Sequence, residues 1–153
     1  MTERSELIEL HNRLSKTLDE ERVAAKDKRH VKGYRTAREN LDDLVDKDTF
    51  VEYGQLAVAA QKSRREVEDL RTETAADGII TGFGKINADI LDDSKALSAI
   101  IINDYSVLAG TQGYYHHKKL DRICETAEKQ KLPVIMYTEG GGGRPGDTDV
   151  HVQ

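Results

Sequence analysis

Four consecutive glycines, Gly140 to Gly143, follow the apolar run Pro133 to Tyr137 and stand directly before Arg144. Glycine lacks a Cβ and admits positive φ, so consecutive amides in such a turn can point at one oxygen on which negative charge develops. A strand that opens into glycines is therefore read as an anion or oxyanion site. The competing reading is a flexible connector. The segment lacks the Gly-Lys-Ser/Thr ending of a P-loop, which argues against a kinase or ATPase.

A second feature with chemical potential is the charge pattern. Residues 22–38 carry Arg22, Lys26, Lys28, Arg29, Lys32, Arg35 and Arg38 against Asp27 alone, whereas residues 39–52 carry six acids against Lys47. Such a run is either a solvated helix surface or a patch that receives phosphates. Adjacent His116 and His117 would point about 100° apart on a helix and cannot clamp a metal as an i, i+4 pair would, so no metal site is expected. The single cysteine, Cys124, excludes an internal disulfide and a thiolate zinc cluster from this chain alone, and fits a reducing cytoplasm. No serine or cysteine nucleophile has a base at a recognisable spacing.

These groups need elements to position them. From Ser5 to about Ala25, Leu7, Leu10, Leu14 and Leu18 recur at helical spacing and predict one amphipathic helix, packed on something or paired with a copy of itself. Thr36 followed by Glu39 forms a capping box that opens a short helix burying Leu41, Leu44 and Val45. Phe50 to Tyr53 reads as a brief strand, and residues 61–76 as a mobile, polar surface connection. Beyond Gly78 the pattern turns β-rich: Ile79 to Ile86 alternates, and Ala96 to Ile102 is a more buried strand. Thr111 is a plausible N-cap for a helix whose inward face holds Leu120, Ile123, Cys124 and Ala127. Val134 to Met136 then reads as a buried strand. Strand, helix, strand implies a right-handed crossover that brings the Gly110–Gly113 and Gly140–Gly143 turns to one edge. The chain is thus α/β. Its net charge, 23 basic minus 28 acidic residues or −5, gives no reason to expect nucleic acid or a membrane as partner.

Five segments in order carry a resemblance: Arg29 to Asn40, Asp48 to Gly54, Asp77 to Gly84, Asp104 to Gly113 and Tyr137 to Asp149. Together they resemble the carboxyltransferase subunit of biotin-dependent acyl-CoA carboxylases, the crotonase-like family that includes the acetyl-CoA and propionyl-CoA enzymes. The last segment looks like the family's Gly-Gly-Ala-Arg oxyanion loop, with Gly143 in place of alanine and Glu139–Gly140 in place of Asp-Ser. The resemblance implies a partial crotonase-like (ClpP/crotonase) fold with N-terminal helices. Residues 1–47 form the helical segment, and 48–153 an incomplete N-terminal carboxyltransferase domain.

What the resemblance implies for function is transfer of the carboxyl group of carboxybiotin to the α-carbon of an acyl-CoA, through a thioester enolate. Gly141 and Gly142 would donate their amides to the enolate oxygen. Lys32, Arg35 and Arg38 are the candidates to meet the CoA phosphates, of which only some can face one ligand. Arg144 would orient the loop, approach a phosphate, or lie on the surface. Gly110 and Gly113 would let the pantetheine chain pass or allow tight packing, with packing favoured. Biotin would arrive on a partner, and the expected partners are acyl-CoA, the biotin carboxyl carrier, the biotin carboxylase component, a C-terminal carboxyltransferase domain absent here, and further copies of the chain. Alone, the chain is expected to be inactive. The alternative is a non-catalytic assembly module pairing through its N-terminal helix.

Overall fold

A computed structural model describes residues 4–149. Its centre is a four-stranded sheet in the order β1-β2-β3-β4, formed by Val51–Glu52, Ile79–Lys85, Leu97–Asn103 and Val134–Tyr137. The β1/β2 and β2/β3 pairs are antiparallel, with Gly82 opposite Ile100, and β3/β4 is parallel, with Ile101 opposite Met136. Successive β3 side chains leave opposite faces, and both faces are covered. Ile100 and Ile102 pack with Ile80 under Ala37 and Leu41 of helix α3 (Ala37–Leu44). Ala99 and Ile101 pack with Ile79 under Ile123 and Ala127 of helix α6 (Tyr114–Gln130). Two apolar layers on one sheet explain why a run of three isoleucines can be wholly buried.

The capping box is present as read: the Thr36 hydroxyl accepts from the Glu39 amide at 3.0 Å, and the Glu39 carboxylate accepts from the Thr36 amide at 2.8 Å. The N-terminal stripe is not one helix. Helix α1 spans Ser5–Ser15 and a second, α2, spans Val23–His30. The break falls at Thr17, whose hydroxyl donates to the Leu14 carbonyl at 2.7 Å and accepts from Gln55 at 2.7 Å. A threonine that bonds back to the preceding turn competes with helix continuation. Residues 61–76 contain helix α4 (Val67–Glu73), whose Leu70 is fully buried, instead of an unstructured connection, and the one-turn helix α5 (Asp93–Ala96) leads into β3. Cys124 lies on the exposed side of α6, not among the apolar residues, so Cys124→Ser should leave the fold unchanged.

Strand β4 forms where expected but is an exposed edge, with Val134, Met136 and Tyr137 at 46%, 39% and 37% exposure. Only Ile135 packs against the core, because no described strand lies beyond β4. An unpaired edge with apolar side chains templates further pairing. Sedimentation should therefore show concentration-dependent self-association, which Met136→Lys should reduce. A monomer at all concentrations would contradict this expectation.

Candidate functional site

Helix α6 connects β3 to β4 and brings the turn ahead of α6 against the glycine turn after β4. The Gln112 amide donates to the Gly142 carbonyl at 3.0 Å, and the Arg144 amide donates to the Gln112 carbonyl at 2.8 Å, making a small parallel bridge between Gln112 and Gly143. Gly110 has φ +68°, and a Cβ there would run into the Glu139 carbonyl. At Gly113 a Cβ would strike the carboxylate of Asp147 and the guanidinium of Arg144. Both glycines thus serve close backbone packing beside the loop. The amides of Gly141 and Gly142 donate to no described residue, and open space lies where a Cβ of either would stand. The turn Leu108–Gly110 is left-handed throughout, at φ 47°, 56° and 68°. Two successive non-glycine residues in that region mark stored strain next to the glycine loop.

Arg144 is neither exposed nor directed at solvent. Its side chain is 5% exposed, pairs with the fully buried carboxylate of Asp77, and donates to the Thr111 carbonyl at 2.8 Å. Asp77 sits in a second left-handed run, Ala76 to Gly78. Its other carboxylate oxygen accepts from the His116 amide at 2.8 Å, while Asp147 accepts from the Tyr114 amide at 2.8 Å. Two remote carboxylates therefore satisfy the free amides at the start of α6, where Gly113, and not Thr111, is the cap residue. Lys119, buried one turn further along α6, donates to the carbonyls of Ala76 (2.7 Å) and Ile79, and burial pushes its pKa down to about 8. Burial pushes the Asp77 carboxyl up, against the pull of Arg144.

His116 is fully buried, with Nδ1 3.1 Å from the Asp77 carbonyl and Nε2 without a partner among the described residues. Burial, helped by Arg144, His117 and Lys119 nearby, lowers its pKa to about 4. A histidine whose folded pKa is depressed contributes stability that is fully present above its ordinary pKa and is lost as pH falls through the folded value. The window runs from pH 6.5 down to about 4, with a loss of about 3 kcal/mol, partly offset by Asp77, whose raised pKa favours the folded state in acid. Urea unfolding at pH 7 and pH 4 should show this loss, and His116→Gln should flatten it. An equally steep dependence in the variant would remove the assignment.

The three basic residues singled out from sequence do not converge. Arg38 is bidentate to Glu52 at 2.5 and 3.0 Å and donates to the Thr17 carbonyl, fastening α3 to β1. Arg35 pairs with Asp43 at 2.8 Å on the exposed surface. Lys32 lines a cleft of about 1110 Å³ between α2 and the 105–109 turn, together with Lys28, Arg65, Tyr105, Leu108 and Ala109. Lys28, Lys32 and Arg65 have no ion-pair partner among the described residues. Sequence reading missed Arg29, which joins α2 to the glycine loop: it is bidentate to Glu139 at 2.7 Å twice and lies over the rings of Tyr34 and Tyr105, at 5.0 and 5.6 Å from their centres. Both partners fell inside quoted segments, but nothing in the sequence links positions so far apart.

Comparison with known proteins places this architecture. The chain superposes on a single-chain, multi-domain long-chain acyl-CoA carboxylase with TM-score 0.92 and 51% identity, covering 98% of this chain and 15% of that one. It matches transcarboxylase 12S with TM-score 0.73 at 23% identity, covering 97% of this chain and 27% of that one, a likeness of fold. The α/β fold is thus the partial crotonase-like one. Residues 28–150 match the carboxyl transferase domain, and the chain belongs to that family. A biotin-dependent acetyl-/propionyl-coenzyme A carboxylase beta5 subunit of Mycobacterium leprae (strain TN) is 33% identical over 143 residues, covering 94% of this chain and 24% of the relative. The chain therefore spans about a quarter of the curated relative's length. No helix among the described residues is long and apolar enough to cross a membrane.

Proposed function

We propose that this chain supplies the acyl-CoA side of a carboxyltransferase in a biotin-dependent acyl-CoA carboxylase of the cytoplasm, acting on an acetyl- or propionyl-type thioester. The observation that carries this reading is the glycine loop, pinned by Gln112 and Arg144 yet leaving the Gly141 and Gly142 amides without an acceptor among the described residues. Donors fixed in advance stabilise an enolate oxygen better than donors that must reorganise. Gly141 and Gly142 would hold that oxygen while the α-carbon takes the carboxyl group. Lys32, with Lys28, would meet the CoA phosphates, and Leu108 and Ala109 would lie along the pantetheine arm. Arg144 orients the loop, and Arg35 and Arg38 hold the scaffold.

Biotin, when bound, supplies the carboxyl group. The open space beside Gly141 to Gly143 fits its delivery from outside by a carrier working with a biotin carboxylase component. The remaining length of the family's subunit and further copies of the chain would complete the site, so the chain alone would bind substrate without turnover. Calorimetric titration of the chain with acetyl-CoA and propionyl-CoA, with pantetheine as control, tests the reading. Binding that needs the phosphate end is expected. No binding by a folded chain would favour a second reading, an assembly module, for which the observation is that α1 buries no residue and exposes Leu7, Ile8 and Leu10.

A further inference from the structure

Residues 61–65 form a turn that none of these roles uses. The Gln61 carbonyl accepts from the amides of both Arg64 and Arg65, at 3.1 and 3.0 Å. Asp149 accepts from the amides of Lys62 and Ser63 at 2.5 and 2.8 Å, and Asp147 accepts from the buried Gln61 side chain at 3.0 Å. Asp149 thus serves the turn's backbone, and Asp147 serves Gln61, the Tyr114 amide and Arg144, so neither pairs with Arg64 or Arg65. The guanidinium groups of Arg64 and Arg65 pair with no acid among the described residues. Arg64 is exposed and Arg65 half-buried, and the Nη2 of Arg64 lies over Gly146, where a Cβ would meet it. Both arginines line an open cleft of about 730 Å³, with Leu108, Ala109, Thr111 and Arg144, and no carboxylate of a described residue lines it. Arg65 also borders the larger cleft that holds Lys28 and Lys32.

Two guanidinium groups that line one cleft, with no acid partner among the described residues, match a compact planar or tetrahedral oxyanion, because each offers a fork of donors. We infer that Arg64 and Arg65 form a binding site for a compact oxyanion beside the glycine loop, separate from the Lys28–Lys32 end of the larger cleft. Two sources share this chemistry: the carboxylate of a carboxylated acyl thioester, and a phosphate of the CoA. Either source rests on the acyl-CoA reading above; the oxyanion site itself does not.

Malonate serves as the first probe, followed by amide shifts of the whole chain in nuclear magnetic resonance. Saturable shifts at residues 61–65 and 108–111 are expected, with affinity about tenfold weaker in Arg64→Ala/Arg65→Ala. Arg64→Lys/Arg65→Lys keeps the charge and loses the fork, so it should fall between the two. Unmoved amides, or equal affinity in the alanine pair, would overturn the site whatever acyl-CoA does. The second stage compares malonyl-CoA with acetyl-CoA, and CoA with dephospho-CoA. An advantage of malonyl-CoA that vanishes in the alanine pair identifies the carboxylate, and an advantage of CoA over dephospho-CoA that vanishes identifies the phosphate. If malonate binds and none of the CoA ligands does, the oxyanion site stands and the acyl-CoA reading falls. If the CoA ligands bind with affinities that the alanine pair leaves unchanged, the acyl-CoA reading stands and both named sources are wrong.

Discussion

Replacing Arg144 by leucine should destabilise the fold by about 3–5 kcal/mol, the range found when one member of a buried ion pair is removed. The expectation is high in that range because Asp77 has no exposed side-chain surface and Arg144 only 5%. The variant would leave a carboxylate buried among groups that cannot replace the guanidinium. It would also lose the donor to Thr111 that braces the turn ahead of α6. A pH signature separates this from a simple loss of packing. Burial already raises the Asp77 pKa, and without Arg144 it rises further, so the carboxyl can escape the penalty by protonating. The gap between parent and variant should therefore widen as pH rises from acid to neutral. Denaturant unfolding across that range measures it, with Asp77→Ala/Arg144→Leu expected to cost less than the two single changes summed. A pH-independent gap would show that Asp77 is not the source.

Gly142→Pro should reduce turnover at least about 100-fold in a complete carboxyltransferase carrying this segment, the effect of losing one oxyanion donor. Proline removes the Gly142 N–H, and its φ near −65° also conflicts with the observed +82°. Gly142→Ala separates the two effects. It keeps the N–H, and its methyl group meets nothing within 4 Å, so it bears only the cost of a left-handed alanine, about 1–2 kcal/mol. If the amide acts on the substrate, the proline variant should be far slower than the alanine variant while both remain folded in thermal melts. Equal rates would assign the loop a conformational role alone.

What could be read from sequence was local. The Thr36–Glu39 box and the β-rich run of β2 each carry their own signal within a few residues, and the box and the strand both form, although β2 is buried on both faces where its pattern alternated. The crossover was legible for a similar reason, since strand, helix and strand follow one another directly. Helix α4 was not, because one buried leucine among charges gives no period. The inward appearance of Val134 and Met136 misled because apolar composition does not reveal that a strand is an edge. Charge counting misled at Arg35 and Arg38, whose partners Asp43 and Glu52 lie outside the basic run. The Asp77–Arg144 pair spans 67 positions, and no spacing rule reaches so far.

The bridge between Gln112 and Gly143 has a kinetic meaning. The β2–β3 hairpin joins neighbours in sequence, whereas the bridge cannot close until α6 has formed and β4 has docked parallel to β3. Contacts that wait for a long crossover close late, after the entropy of that loop has been met. Substitutions at Gly110 or Arg144 should then hasten unfolding and leave the refolding rate nearly unchanged. The proposed oxyanion loop would be the last part of the chain to take shape and the first to come apart.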